Sequence, residues 1–74
     1  MENYTINFRF RGRESAGAVH KYDSFTFVYF SDSLIIQDFG GQLEFDSKNN
    51  HVPKPEKQGG DLPELVRAVK SQLR

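Results

Sequence analysis

With 74 residues and no cysteine, the chain makes one small domain, residues 1–74, with neither a disulfide framework nor a thiolate metal site. Ten basic and ten acidic residues cancel, which argues against a dedicated polyanion binder. The core of such a chain is thin, and seven Phe with three Tyr are the means of giving it enough buried area.

Residues 4–11, "YTINFRFR", alternate strictly: Tyr4, Ile6, Phe8 and Phe10 on one face, Thr5, Asn7, Arg9 and Arg11 on the other. That is the period of a half-buried strand. Gly12-Arg13 suits a two-residue type II′ turn. The register it implies pairs Arg11 with Glu14, Phe8 with Gly17 and Ile6 with Val19, and makes residues 14–21 a second strand. Arg9 and Arg11 then lie on the solvent side, with Arg13 at the turn tip.

Residues 25–30, "FTFVYF", are the most strand-like segment. Two registers fit its neighbours. A three-residue loop before it (Tyr22 to Ser24) turns Phe25, Phe27 and Tyr29 towards the core; a two-residue loop turns Thr26, Val28 and Phe30 inward instead. The first buries more ring area and is the expected one. Residues 34–39, "LIIQDF", read as a fourth strand. Gly40-Gly41 reads as a hairpin turn, and residues 42–46, "QLEFD", as a fifth strand. In this hairpin Ile36 faces Phe45 and Asp38 faces Leu43. Leu34, Ile36, Leu43 and Phe45 then share one face, and Ile35 and Phe39 the other.

Residues 47–60 are a polar connection in which Pro53 and Pro55 favour an extended path, long enough to cross the sheet. "DLPE" then opens a helix: Asp61 as N-cap, Pro63 in the first turn, Glu64 completing a capping box. Leu62, Leu65, Val66, Val69 and Leu73 form its apolar stripe. The expected fold is α+β: a five-stranded antiparallel meander sheet with one C-terminal helix packed on one face.

One helix covers one face. On the register given, Val28, Phe30, Ile35 and Phe39 are left on the other, and an apolar patch of that kind marks an interaction surface. The expected function is a small non-enzymatic interaction module that uses this face for homodimerisation or protein-partner docking. The competing expectation is that residues 47–60 fold over the face and cover it. No catalytic residue, metal ligand or cofactor is expected. His20 and His51 share no ligand spacing, Glu44 and Asp46 suit a charged, solvated strand, and no nucleophile motif is present. No segment reaches signal-peptide or membrane-span length, so the expected location is cytoplasmic, away from membranes.

The stretch "DSFTFVYF" resembles the third-strand signature of RNA-recognition motifs at Phe25, Phe27, Val28 and Phe30. Asp23, Ser24 and Thr26 replace its basic residue and both small ones, and the family's first helix has no counterpart here. The chain is not assigned to that family. The alternative function is nonetheless a nucleic-acid-binding module, using exposed aromatics of residues 25–30 with Arg9, Arg11 and Arg13.

Overall fold

The computed structural model describes residues 1–53 and 60–74. Four strands form one antiparallel sheet in chain order: β1 (Glu2–Phe10), β2 (Arg13–Lys21), β3 (Phe25–Phe30) and β4 (Gln42–Asp46). Two helices, α1 (Ser33–Phe39) and α2 (Leu62–Lys70), supply core residues on the same sheet face. The class is the expected α+β. The expected count of five strands and one helix is corrected, among the described residues, to four and two.

The first hairpin turns on Arg11-Gly12, not Gly12-Arg13. Both residues have positive φ, 53° and 72°, as a type I′ turn requires, and that turn matches strand twist. Phe10 therefore pairs with Arg13, Phe8 with Ser15, Ile6 with Gly17 and Tyr4 with Val19. The register differs from the expected one by two residues, an even shift, so the strand residues keep their expected faces; Arg11, expected on the solvent side beside Arg9, is instead a turn residue whose side chain reaches the helix side. Ile6, Phe8, Phe10 and Val19 are all in the core.

The β3 register is the other of the two considered. Val19 pairs with Val28, and Lys21 with Thr26. The preceding loop is therefore the two residues Asp23-Ser24, closed by the Tyr22 amide donating to the Phe25 carbonyl at 2.8 Å. Thr26, Val28 and Phe30 are buried, while Phe25 and Tyr29 are exposed on the opposite face. Ring area did not decide the parity. The loop did, because a one-residue change inverts the strand.

Residues 33–39 form a helix where a strand was expected. Asp32 caps it: its Oδ1 accepts from the Leu34 amide at 2.9 Å, and its carbonyl accepts from the Ile36 amide. Gly40, at φ 93°, ends the helix and donates its amide to the Ile36 carbonyl. Ile35 and Phe39, four apart, point into the core, whereas Leu34 and Ile36 lie exposed on the outer side. The Phe39 ring meets the edge of Phe10 at 5.7 Å between centroids.

After β4 the chain turns on Asp46, whose Oδ1 accepts from the Lys48 and Asn50 amides. It then runs back along the outer edge of β4. The Asp46 amide donates to the Asn50 carbonyl, and the Val52 amide to the Glu44 carbonyl. The expected path of 47–60 across the sheet is thus replaced, as far as residue 53, by a path along its edge; residues 54–59, with Pro55, lie outside the described residues.

α2 begins where "DLPE" indicates and buries Leu65 and Val69. Asp61 stands at the N-cap, but its side chain makes no capping bond. Its carbonyl accepts from the Glu64 and Leu65 amides, and its carboxylate goes elsewhere.

Candidate interaction surface

The sheet face away from α1 and α2 is set by strand parity. β1 presents Asn3, Thr5, Asn7 and Arg9 there, β2 presents Glu14, Ala16, Ala18 and His20, and β4 presents Gln42, Glu44 and Asp46. β3 places Phe25, Phe27 and Tyr29 in one line. Tyr22, held over the strand start by the hydrogen bond from its amide to the Phe25 carbonyl, extends the line, and His20 flanks it. The rings are contiguous. Centroids lie 4.8 Å apart for Tyr22–Phe25, 5.1 Å for Phe25–Phe27, 6.1 Å for Phe27–Tyr29 and 5.2 Å for His20–Tyr29. Edge and tilted contacts of this kind hold neighbouring rings in fixed relative orientation. The outer members remain open to solvent: Tyr22 is 38% exposed, Phe25 36% and Tyr29 40%.

Beside Tyr29 the small side chains of Ala16 and Ala18 leave a shallow depression of about 300 Å³, walled by Thr5, Tyr29 and Ser31. The far side of the ring line is acidic, since Phe25 pairs with Asp46 and Phe27 with Glu44. The Asn50 and Lys48 amides hold the Asp46 carboxyl below the ordinary carboxylate range, so it is charged at neutral pH.

The residues expected to form the surface lie elsewhere. Val28, Phe30, Ile35 and Phe39 are all buried in the core, because β3 has the other parity and 33–39 is a helix. The aromatic members actually exposed are the ones that ring area had assigned to the interior. The signal that could have found them is Asp23-Ser24, a turn dipeptide flanked by Tyr22 and Phe25.

The three arginines do not form one basic site. Arg9 lies on the open face, bonded to Glu14 at 3.2 Å. Arg11 and Arg13 turn towards the helices. Arg11 binds Asp61 at 2.7 and 2.8 Å and Asp38 at 2.7 Å. Its guanidinium also lies 5.0 Å from the Phe10 ring centre and 5.2 Å from that of Phe39. The bonds to the two carboxylates raise its pKa further. Arg13 meets Asp32 at 3.0 Å. The Asp32 carboxyl is held below its ordinary range by the Ser15 hydroxyl, the Leu34 amide and Arg13.

His51 packs 5.8 Å from Phe45 and is biased towards the neutral form by burial. It does not approach His20's ring line. Among the described residues, no group of three His, Asp or Glu side chains is placed to share a metal ion, and no helix is long and apolar enough to cross a membrane. No protein-family model, no curated protein and no solved structure matches the chain.

Proposed function

We propose that the chain is a small non-enzymatic interaction module that docks a protein partner on its open sheet face. Tyr22, Phe25, Phe27 and Tyr29 supply the contact. The observation that carries this reading is the unbroken line of rings on the face without helices. Aromatic anchors of this kind supply large contact area at low entropic cost, and interface cores are enriched in them. The depression beside Tyr29 gives room for one apolar side chain of the partner. Asp46, paired with Phe25 at the end of the ring line, favours a partner surface with an apolar centre and a basic rim.

The same rings could stack on unpaired bases, which keeps a nucleic-acid reading in view. Charge favours the protein partner: the ring line borders carboxylates, and Arg9, Arg11 and Arg13 are each bonded to an acidic side chain. The test is the double change Phe25→Ser, Tyr29→Ser, compared with Asn7→Ser on the same face. The aromatic change should leave the melting temperature nearly unaltered and abolish photo-crosslinking of partner proteins from a probe placed at Gln42; the Asn7 change should leave both the melting temperature and the crosslinking unaltered. Crosslinks equal in both variants would refute the reading. Binding of single-stranded oligouridine that falls steeply with salt would replace it with the nucleic-acid one.

A further inference from the structure

The two edges of the sheet differ. On β4 the outward carbonyl of Glu44 accepts from the Val52 amide and the outward amide of Asp46 donates to the Asn50 carbonyl of the same chain. Among the described residues, β1 has no such cover. The Arg11-Gly12 turn makes Phe10 and Arg13 a bonded pair, so Phe10, Phe8, Ile6, Tyr4 and Glu2 direct their amides and carbonyls to β2. Asn3, Thr5, Asn7 and Arg9 direct theirs outward. The same alternation, carried across the sheet, accounts for the Phe30 amide reaching the Gly41 carbonyl beyond β3. Among the described residues, nothing meets the outward backbone groups of Asn3, Thr5, Asn7 and Arg9.

β1 is a nine-residue edge, paired with β2 along its whole length without a bulge. It contains no proline, and Arg9 is the only charge among its outward-bonding residues. These are the devices by which isolated edges avoid pairing, and β1 nearly lacks them. A row of unmet amides and carbonyls accepts one kind of occupant, another extended strand.

We propose that the occupant is β1 of a second copy, paired antiparallel about a two-fold axis at Ile6, to form one continuous eight-stranded sheet. This inference is independent of the partner reading for the aromatic face. A two-fold axis normal to the sheet requires a residue of β1 to face its own copy. Centring on Ile6 is the one choice that uses all nine residues. It sets Thr5 opposite Asn7 and Asn3 opposite Arg9 on the open face, as bonded pairs, with no like charges in contact. On the helix face it sets Ile6 against Ile6 and Tyr4 against Phe8. The copies bring equal lengths and matching faces.

The test uses two double variants of the full chain at exposed positions. In Thr5→Lys, Asn7→Lys, ammonium groups of the two copies face each other twice. In Thr5→Lys, Asn7→Glu, each ammonium faces a carboxylate. Analytical ultracentrifugation should show a wild-type dimer, a monomeric first variant, and a second variant that dimerises more tightly than the first by about tenfold or more. Circular dichroism and thermal melts check that both fold. Hydrogen exchange supplies a readout that needs no variant: the Thr5 and Asn7 amides should be protected in the dimer and lose protection on dilution. A wild type that stays monomeric at millimolar concentration would overturn the proposal. So would equal association of the two double variants, or a dimer dissolved by Phe25→Ser, Tyr29→Ser and untouched by the paired lysines.

Discussion

Arg11 grips Asp61 with two parallel bonds, Nε to Oδ2 at 2.7 Å and Nη2 to Oδ1 at 2.8 Å, across 50 residues of chain. The residue placed to cap α2 thus spends its carboxylate on the tip of the first hairpin. The third arm of the guanidinium reaches Asp38 near the end of α1, and its face lies over Phe10 and Phe39. One side chain therefore ties the β1–β2 turn to both helices. A fork-shaped donor is needed for this, and a lysine could not reproduce it.

Asp61→Ala is expected to lower the urea midpoint by loss of the Arg11 clamp, not of a helix cap. Arg11→Ala should lower it similarly, and the double variant should add little beyond either single one. Arg11→Lys should restore only part of the loss. Strictly additive effects in the urea melts would show that the two residues act separately.

The depressed carboxyls set the acid limb of stability. Asp61, held low by Arg11, Asp32 by Ser15, and Asp46 by the Asn50 and Lys48 amides, all lie below their ordinary value of 3.8. Their contribution is fully present above that value and is lost as pH falls through the depressed folded values, where the unfolded chain already binds the protons. His51 adds an earlier limb. Burial lowers its pKa from 6.5, so the unfolded chain protonates it first and stability declines as pH drops below 6.5. His51→Gln should flatten the upper limb, and Asp61→Asn should weaken the lower one, in urea melts taken across pH.

Ile35→Thr with Phe39→Thr is expected to destabilise the monomer by about 3 kcal/mol or more, since both side chains are buried against the sheet. A melting temperature close to wild type would contradict the placement of α1.

Gly17 leaves no room for a methyl group. A Cβ there would lie 2.8 Å from Val28 Cγ1 and 3.6 Å from Ile6. Gly17→Ala should cost about 1–3 kcal/mol by overpacking. Gly12→Val meets open space but must hold φ at 72°, and should cost more than about 1 kcal/mol for the backbone alone. Chemical denaturation of each variant checks both values.

Long periodic patterns were legible without coordinates. Tyr4 to Phe10 alternates over enough residues to set both strand and face, and Ile6, Phe8 and Phe10 are core residues as that alternation requires. Leu65 and Val69 likewise follow from the α2 stripe, and Leu43 and Phe45 from β4. The segment Leu34 to Phe39 was not legible, because six residues fit a strand through Leu34 and Ile36 and a helix through Ile35 and Phe39 equally well. Asp32 as cap, Gly40 as terminator and the Phe10 ring awaiting Phe39 decided it. The parity of β3 was illegible for a related reason. Aromatic and β-branched residues alternate there, so either face can be buried, and one residue of loop length exchanges the core with the candidate surface. Composition and periodicity determine which segments become elements. Which side of β3 faces water, and what Asp61 binds, depend on contacts between residues far apart in sequence, and no local pattern encodes those.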